Sequence, residues 1–280
     1  MICTKYVRIQ RPSKIHKPEQ ITSVSEFITL LKQNLKTAGV TSSNSGKILS
    51  EYLTGLYLAN IPAIIIGESA VNIVNAFSAT LCGKVPTILD LAAGFNDYAG
   101  LGEIISEQNS DVIIFQNAVG RIDESVYLHL SEDYSEYCFF FISEKSSMLS
   151  CLPAGILSYC GLINGDKFVK KVVSDPEYYA GSISFTSDVT EYNPETYSRF
   201  FEKLSKLSAP ARVSDGYCSI RTKMLTILES TERKYSRMVL FAPELLAYSE
   251  LWNRKKEFVN SVLDELDSID DEFSEYIEDE

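Results

Sequence analysis

The chain has 280 residues, 45% hydrophobic and 23% charged, with a formal net charge of −12. That balance supports a sizeable buried core and excludes a disordered or collagen-like chain. No run approaches the roughly eighteen apolar residues of a membrane-spanning helix. Six scattered cysteines with no CxxC pair, and only two histidines, His16 and His129, argue against a disulfide framework, a zinc ribbon or a His-rich metal site.

The opening residues Met1–Lys5 lack the layout of a secretory signal. Cys3, Cys82, Cys138, Cys151, Cys160 and Cys218 are mostly flanked by apolar residues. The expectation is a cytoplasmic protein with reduced core thiols and no membrane association. The acidity is local: Asp264–Glu280 holds ten acids and no base, which leaves the rest of the chain near −2.

Residues 1–22 carry Lys5, Arg8, Arg11, Lys14 and Lys17, are broken by Pro12 and Pro18, and show no period. They read as a basic extended arm, either solvated, docked on an acidic partner, or touching a nucleic-acid phosphate backbone. Phe27, Leu30, Leu31 and Leu35 then share one helical face over 23–38, which Gly39 closes. Ile48, Leu49, Tyr52, Leu53 and Leu56 give a second helix ending near Asn60. Ile61–Ile66 is a short β-branched run, typical of a strand buried on both faces, and Gly67 ends it. Helical character follows over 71–81 and stops at Gly83.

The alternation continues. Strands are expected at 87–91, 112–115 and 137–142, with helices at 98–107 and 124–130, and a fifth strand lies somewhere in 156–163. This predicts an α/β fold with a mainly parallel sheet and flanking helices over 23–175. Asp175-Pro176, Gly181 and Asn193-Pro194 mark a connector. Beyond it, 190–280 reads as an α-helical part, with helices at 194–207, 218–230 and one long acidic helix over 243–277 that starts at Pro243.

A strand, a glycine turn and a helix invite comparison with the phosphate-cradling GxxxxGK[ST] loop. Counted from Gly67, the second glycine becomes Asn72, the lysine Ile73 and the hydroxyl residue Val74. Glu68 and Ser69 occupy the loop. Ser45-Gly46-Lys47 and Gly83-Lys84 contain GK but follow no strand. An acid pair that holds Mg²⁺ and polarises water belongs at the end of the 112–115 strand; Gln116-Asn117 stands there.

The element order resembles the AAA+ branch of P-loop ATPases, including its restriction-type and MoxR-like groups. The segments that carry the likeness are FITLLKQNLKTAGV, ILSEYLTGLYLANIPAIIIG, DVIIFQN, YCFFFISEKSS and LPAGILSYCGLI, covering roughly 23–165. The resemblance implies a polar sensor residue at Ser143 and a helical lid in the C-terminal part. With Walker A and Walker B residues missing, it implies no catalysis, no required cofactor, and at most weak ATP binding at the Gly67–Ala70 backbone. It implies a non-catalytic scaffold or regulatory subunit that assembles with protein partners in a bacterial defence or restriction-type complex. Two other readings stay open: an enzyme or small-molecule binder on another doubly wound fold, and a nucleic-acid-associated protein using the basic arm.

The C-terminal helix carries a seam at 3- and 4-residue steps: Leu245, Tyr248, Trp252, Val259, Val262, Leu266, Ile269, Phe273 and Tyr276. The seam packs either on the chain's own body or, from Trp252 onward, on a partner.

Overall fold

The computed structural model describes residues 6–9, 14–15, 18–91, 95, 98–119, 125–171, 173, 176–185, 193–231, 233–235, 237–264 and 271–278. Three short strands open the chain: β1 (Tyr6–Ile9), β2 (Lys14–Ile15) and β3 (Glu19–Ile21). Helices α1 (Val24–Thr37) and α2 (Ser43–Leu58) follow, each capped by a serine side chain, Ser23 and Ser42. Then come β4 (Ala63–Ile66), α3 (Ala70–Cys82), β5 (Thr87–Leu91), α4 (Tyr98–Ser106), β6 (Val112–Gln116), α5 (Ser125–Asp133), β7 (Cys138–Ser143), α6 (Ala154–Tyr159), β8 (Gly161–Asn164) and α7 (Gly165–Phe168). The remainder is β9 (Glu177–Tyr178), β10 (Gly181–Ile183), α8 (Pro194–Ser208), α9 (Asp215–Thr231), α10 (Ala242–Leu251), α11 (Lys255–Asp264) and α12 (Asp271–Glu278).

The main sheet has the order β1-β5-β6-β7-β4-β8. Its last five strands are parallel, and β1 pairs antiparallel with β5. Ile64, Ile65, Ile113, Ile114, Phe115 and Phe141 have essentially no exposure, as strands covered on both faces require. The α/β core with flanking helices and a helical C-terminal part is as the sequence implies. Three of its boundaries differ. The 156–163 segment holds a helix, α6, before its strand. The basic arm is not free where it is described, since β1 extends the main sheet, β2 pairs with β9 and β3 pairs with β10. The connector is likewise folded onto the body: the buried Asn34 donates to Thr80 Oγ1 and Tyr179 O, and accepts from Tyr179 N at 2.8 Å.

The long C-terminal helix is also broken. Trp252 ends α10, Asn253 takes a left-handed φ of 55°, and the Asn253 and Arg254 amides turn back to Glu250 O and Ser249 O. This is the Schellman pattern, with asparagine in the position glycine usually fills. α1 and α2 end the same way, at Gly39 and Asn60. The break resets the helical phase. Phe258 and Val262 then form the buried face of α11, and Phe273 and Ile277 that of α12. Burying each such side chain fully contributes about 1.5–3 kcal/mol.

The C-terminal helices pack on the α/β part: α9 lies on α2 and α6, and α10 along β8. A buried ion pair fixes that contact. Arg221 of α9 and Glu244 of α10 are 0% and 1% exposed and meet at 2.6 Å. Arg221 also donates to Ser158 O and Cys160 O, while Glu244 accepts from Tyr217 Oη and from the Leu162 amide at 3.1 Å. β8 is an edge strand, and Glu244 satisfies a backbone donor that its missing neighbour would have taken. Removing one partner strands a buried charge, so Arg221→Met is expected to lower unfolding free energy in urea titration by about 3–5 kcal/mol. The double change Arg221→Met, Glu244→Leu is expected to recover most of that loss.

Candidate functional site

The C-terminal ends of the parallel strands meet where the strand order reverses, on either side of β4. This is the crevice in which open α/β sheets place their sites. The register puts Ile66 opposite both Ser143 and Asn164, and Gln116 opposite Asp90 and Ile142. Gly67, Glu68, Ser69 and Ser143 therefore lie together. Gln116 and Asn117 share the same sheet edge, but β7 separates them from β4, a displacement of roughly 10 Å at the usual strand spacing.

The Gly67 turn is built tightly. Gly67 has φ 108°, and its amide donates to Ser143 O at 2.9 Å. Only Glu68 and Ser69 separate it from the first residue of α3. The amides of Ala70, Asn72 and Ile73 point back to Gly67 O and Ser69 O. In a phosphate cradle those N–H groups face the ligand. Here they serve the helix.

An acid fills the remaining space. Asp166 on α7 lies against the turn, and a Cβ built on Gly67 would sit 2.3 Å from its Oδ1. The buried Ser69 donates to the same oxygen at 3.2 Å. Glu68 adds a second exposed carboxylate at the mouth. Ile73 and Val74 are fully buried, with Ile73 packed beneath Gly165. The Asn72 side chain points away from the turn and donates to Val173 O, while its backbone carbonyl accepts from Tyr178 Oη. Asn117 holds a left-handed φ of 57° and donates its amide to Ile142 O, while Ser143 Oγ donates to Lys145 O. The side chains at the turn itself are two carboxylates, Glu68 and Asp166, and the Ser69 hydroxyl; the carboxylates would repel an anion. The Asp166 carboxylate lies directly against Gly67 and Ser69.

Among the described residues no group of three or more His, Cys, Asp or Glu is placed to hold a metal ion, and no helix is long and apolar enough to cross a membrane. His129 is exposed on α5, and His16 lies outside the described residues. Burial pushes the Cys160 thiol up to about 12, with Glu244 adding to the rise and Arg221 opposing it. A small, mostly apolar surface hollow lies between Leu53, Tyr57, Phe77 and Phe140. It opens near the starts of β4 and β7, at the other end of the sheet.

Of the C-terminal candidates, Trp252 is 40% exposed at the turn after α10, whereas Val262 and Phe273 are buried in the chain's own core. Val259 and Tyr276 are half-buried against it. Leu266 and Ile269 lie outside the described residues.

The chain is thus an α/β protein with a five-stranded parallel sheet and a helical C-terminal part. Compared with protein-family models, with curated proteins and with solved structures, it matches none.

Two results are expected from this geometry. Gly67→Ala should lower stability in chemical denaturation by about 1–3 kcal/mol, the range for a residue forced into a disallowed backbone region. Adding Asp166→Ala should return only the part caused by the collision. Cys160 should resist iodoacetamide at pH 8 in the native protein and react once denaturant exposes it, because its thiol keeps its proton well above that pH.

Proposed function

We propose that this chain is a non-catalytic, ATPase-like body that assembles with protein partners, its phosphate site having become a structural joint. The strand order supports the reading. Counted from β4 it runs 2-3-4-1-5, with one strand between the glycine-turn strand and the strand ending in Gln116. That order differs from the 3-2-1-4-5-6 order of dinucleotide-binding sheets and from the 2-1-3-4-5 flavodoxin-like order. The observation that carries the inactive reading is Asp166, whose carboxylate sits on Gly67 and holds Ser69. Phosphoryl transfer needs cations and an acid-held Mg²⁺ around the phosphates. This turn offers an anion, and Gln116-Asn117 offers amides in place of the acids.

Thermal unfolding with and without millimolar Mg·ATP tests the proposal. A ligand present at a hundred times its Kd stabilises by about 2.7 kcal/mol, which moves the Tm of a chain this size by several degrees. A change below about one degree is expected. A shift of several degrees that Asp166→Lys abolishes would place nucleotide at this turn and sink the closed-site reading.

A further inference from the structure

Asn164 and Gly165 form the only Asn-Gly pair in the sequence. They stand at the joint between β8 and α7, Asn164 as the last residue of the strand and Gly165 as the first of the helix. Asparagine before glycine is chemically labile. The glycine's backbone nitrogen can attack the asparagine side-chain carbonyl, because no Cβ shields the approach. The fold also requires this glycine: a Cβ at position 165 would lie 2.9 Å from Ile66 O and 3.3 Å from Ile73 Cδ1.

The same fold holds the two reacting atoms apart. Asn164 has φ −85° and ψ 95°, which sets the Gly165 nitrogen on the far side of the Cα–C bond from Cβ. Cγ is then out of reach. Closing a ring between them needs a large swing in ψ, and that breaks the pairing of Asn164 with Ile66 on β4. The half-buried Asn164 side chain does not brace the joint, since it makes no capping bond to α7. The joint itself links a four-residue edge strand to a four-residue helix. Short elements of this kind open locally ahead of global unfolding.

We propose that Asn164 is a modification site, converted to aspartate and isoaspartate when this joint opens, and that the conversion loosens the joint irreversibly. The Gly165 nitrogen loses its proton to hydroxide and bonds to Cγ; the Cγ–Nδ2 bond breaks and the side-chain nitrogen leaves as ammonia. Water then opens the resulting succinimide. Attack at Cγ returns the normal backbone with aspartate at 164, and attack at the backbone carbonyl gives isoaspartate. Aspartate adds a carboxylate two residues from Asp166, at a turn that already carries Glu68. Isoaspartate adds one carbon to the backbone between β8 and α7, which shifts Asp166 from its seat on Gly67 and Ser69.

The full chain held at pH 8, native and in guanidinium chloride, tests this by peptide mapping that separates the three forms at position 164. Conversion in the native chain should run about tenfold to a hundredfold slower than in the unfolded chain. The converted chain should unfold at a lower Tm. Asn164→Gln, whose attack would have to close a six-membered ring, should stay unconverted and keep its starting Tm over the same period. Equal rates in the native and unfolded chains overturn the gating by the fold. No product in the native chain after about a hundred unfolded-state half-lives overturns the site. A converted chain with the Tm of the unconverted one overturns the loosening.

Discussion

A guanidinium and a carboxylate that never meet water decide how this chain closes on itself. Arg221 and Glu244 come from different helices, yet both reach the start of β8, one through the Ser158 and Cys160 carbonyls and the other through the Leu162 amide. Burying such a pair costs much of what the attraction returns, so its value lies in placement more than in net stability. An apolar pair could slide; a two-pronged charged contact with every partner satisfied allows one arrangement. Once the start of β8 is fixed, its far end is fixed as well. Asn164 leads directly into α7, and α7 sets Asp166 on the Gly67 turn.

That chain of constraints explains why the turn differs from a phosphate cradle in more than its missing lysine. With α3 beginning at Ala70, the positions that would carry the lysine and hydroxyl face the core, and Ile73 and Val74 suit that environment. Glycine at position 67 has its own structural reasons: its backbone is left-handed, and Asp166 passes too close for a side chain. Placing Lys at position 73 would bury a charge in the core; it would not rebuild a site.

The strands were legible because fully buried parallel strands are short runs of Ile, Val and Phe, and the helix ends because Gly39 and Gly83 mark them. What escaped reading depends on distant partners. Asp166 looks like an ordinary loop acid until β8 is placed beside β4. The segment around Gly181 reads as a connector by its punctuation, yet that glycine lets the backbone pass where a Cβ would lie 2.0 Å from Thr80 O. Two signals were present and could have been used. Arg221 stands four residues from Tyr217 and from Leu225 on the apolar face of its helix, and Glu244 is flanked by Pro243 and Leu245; charges in such places need each other. Asn253 after Trp252 could have ended the long helix, which would have corrected the phase of the seam beyond it.

The pairing of the first strands has a consequence for how the molecule is made. β1 can join β5 once residue 91 exists, but β2 and β3 find their partners only at residues 177–178 and 181–183. During synthesis, the backbone groups of Glu19–Ile21 wait unpaired while most of the sheet is assembled beside them. β3 is therefore made long before its partner, and the β3–β10 seam is among the last strand pairings to close.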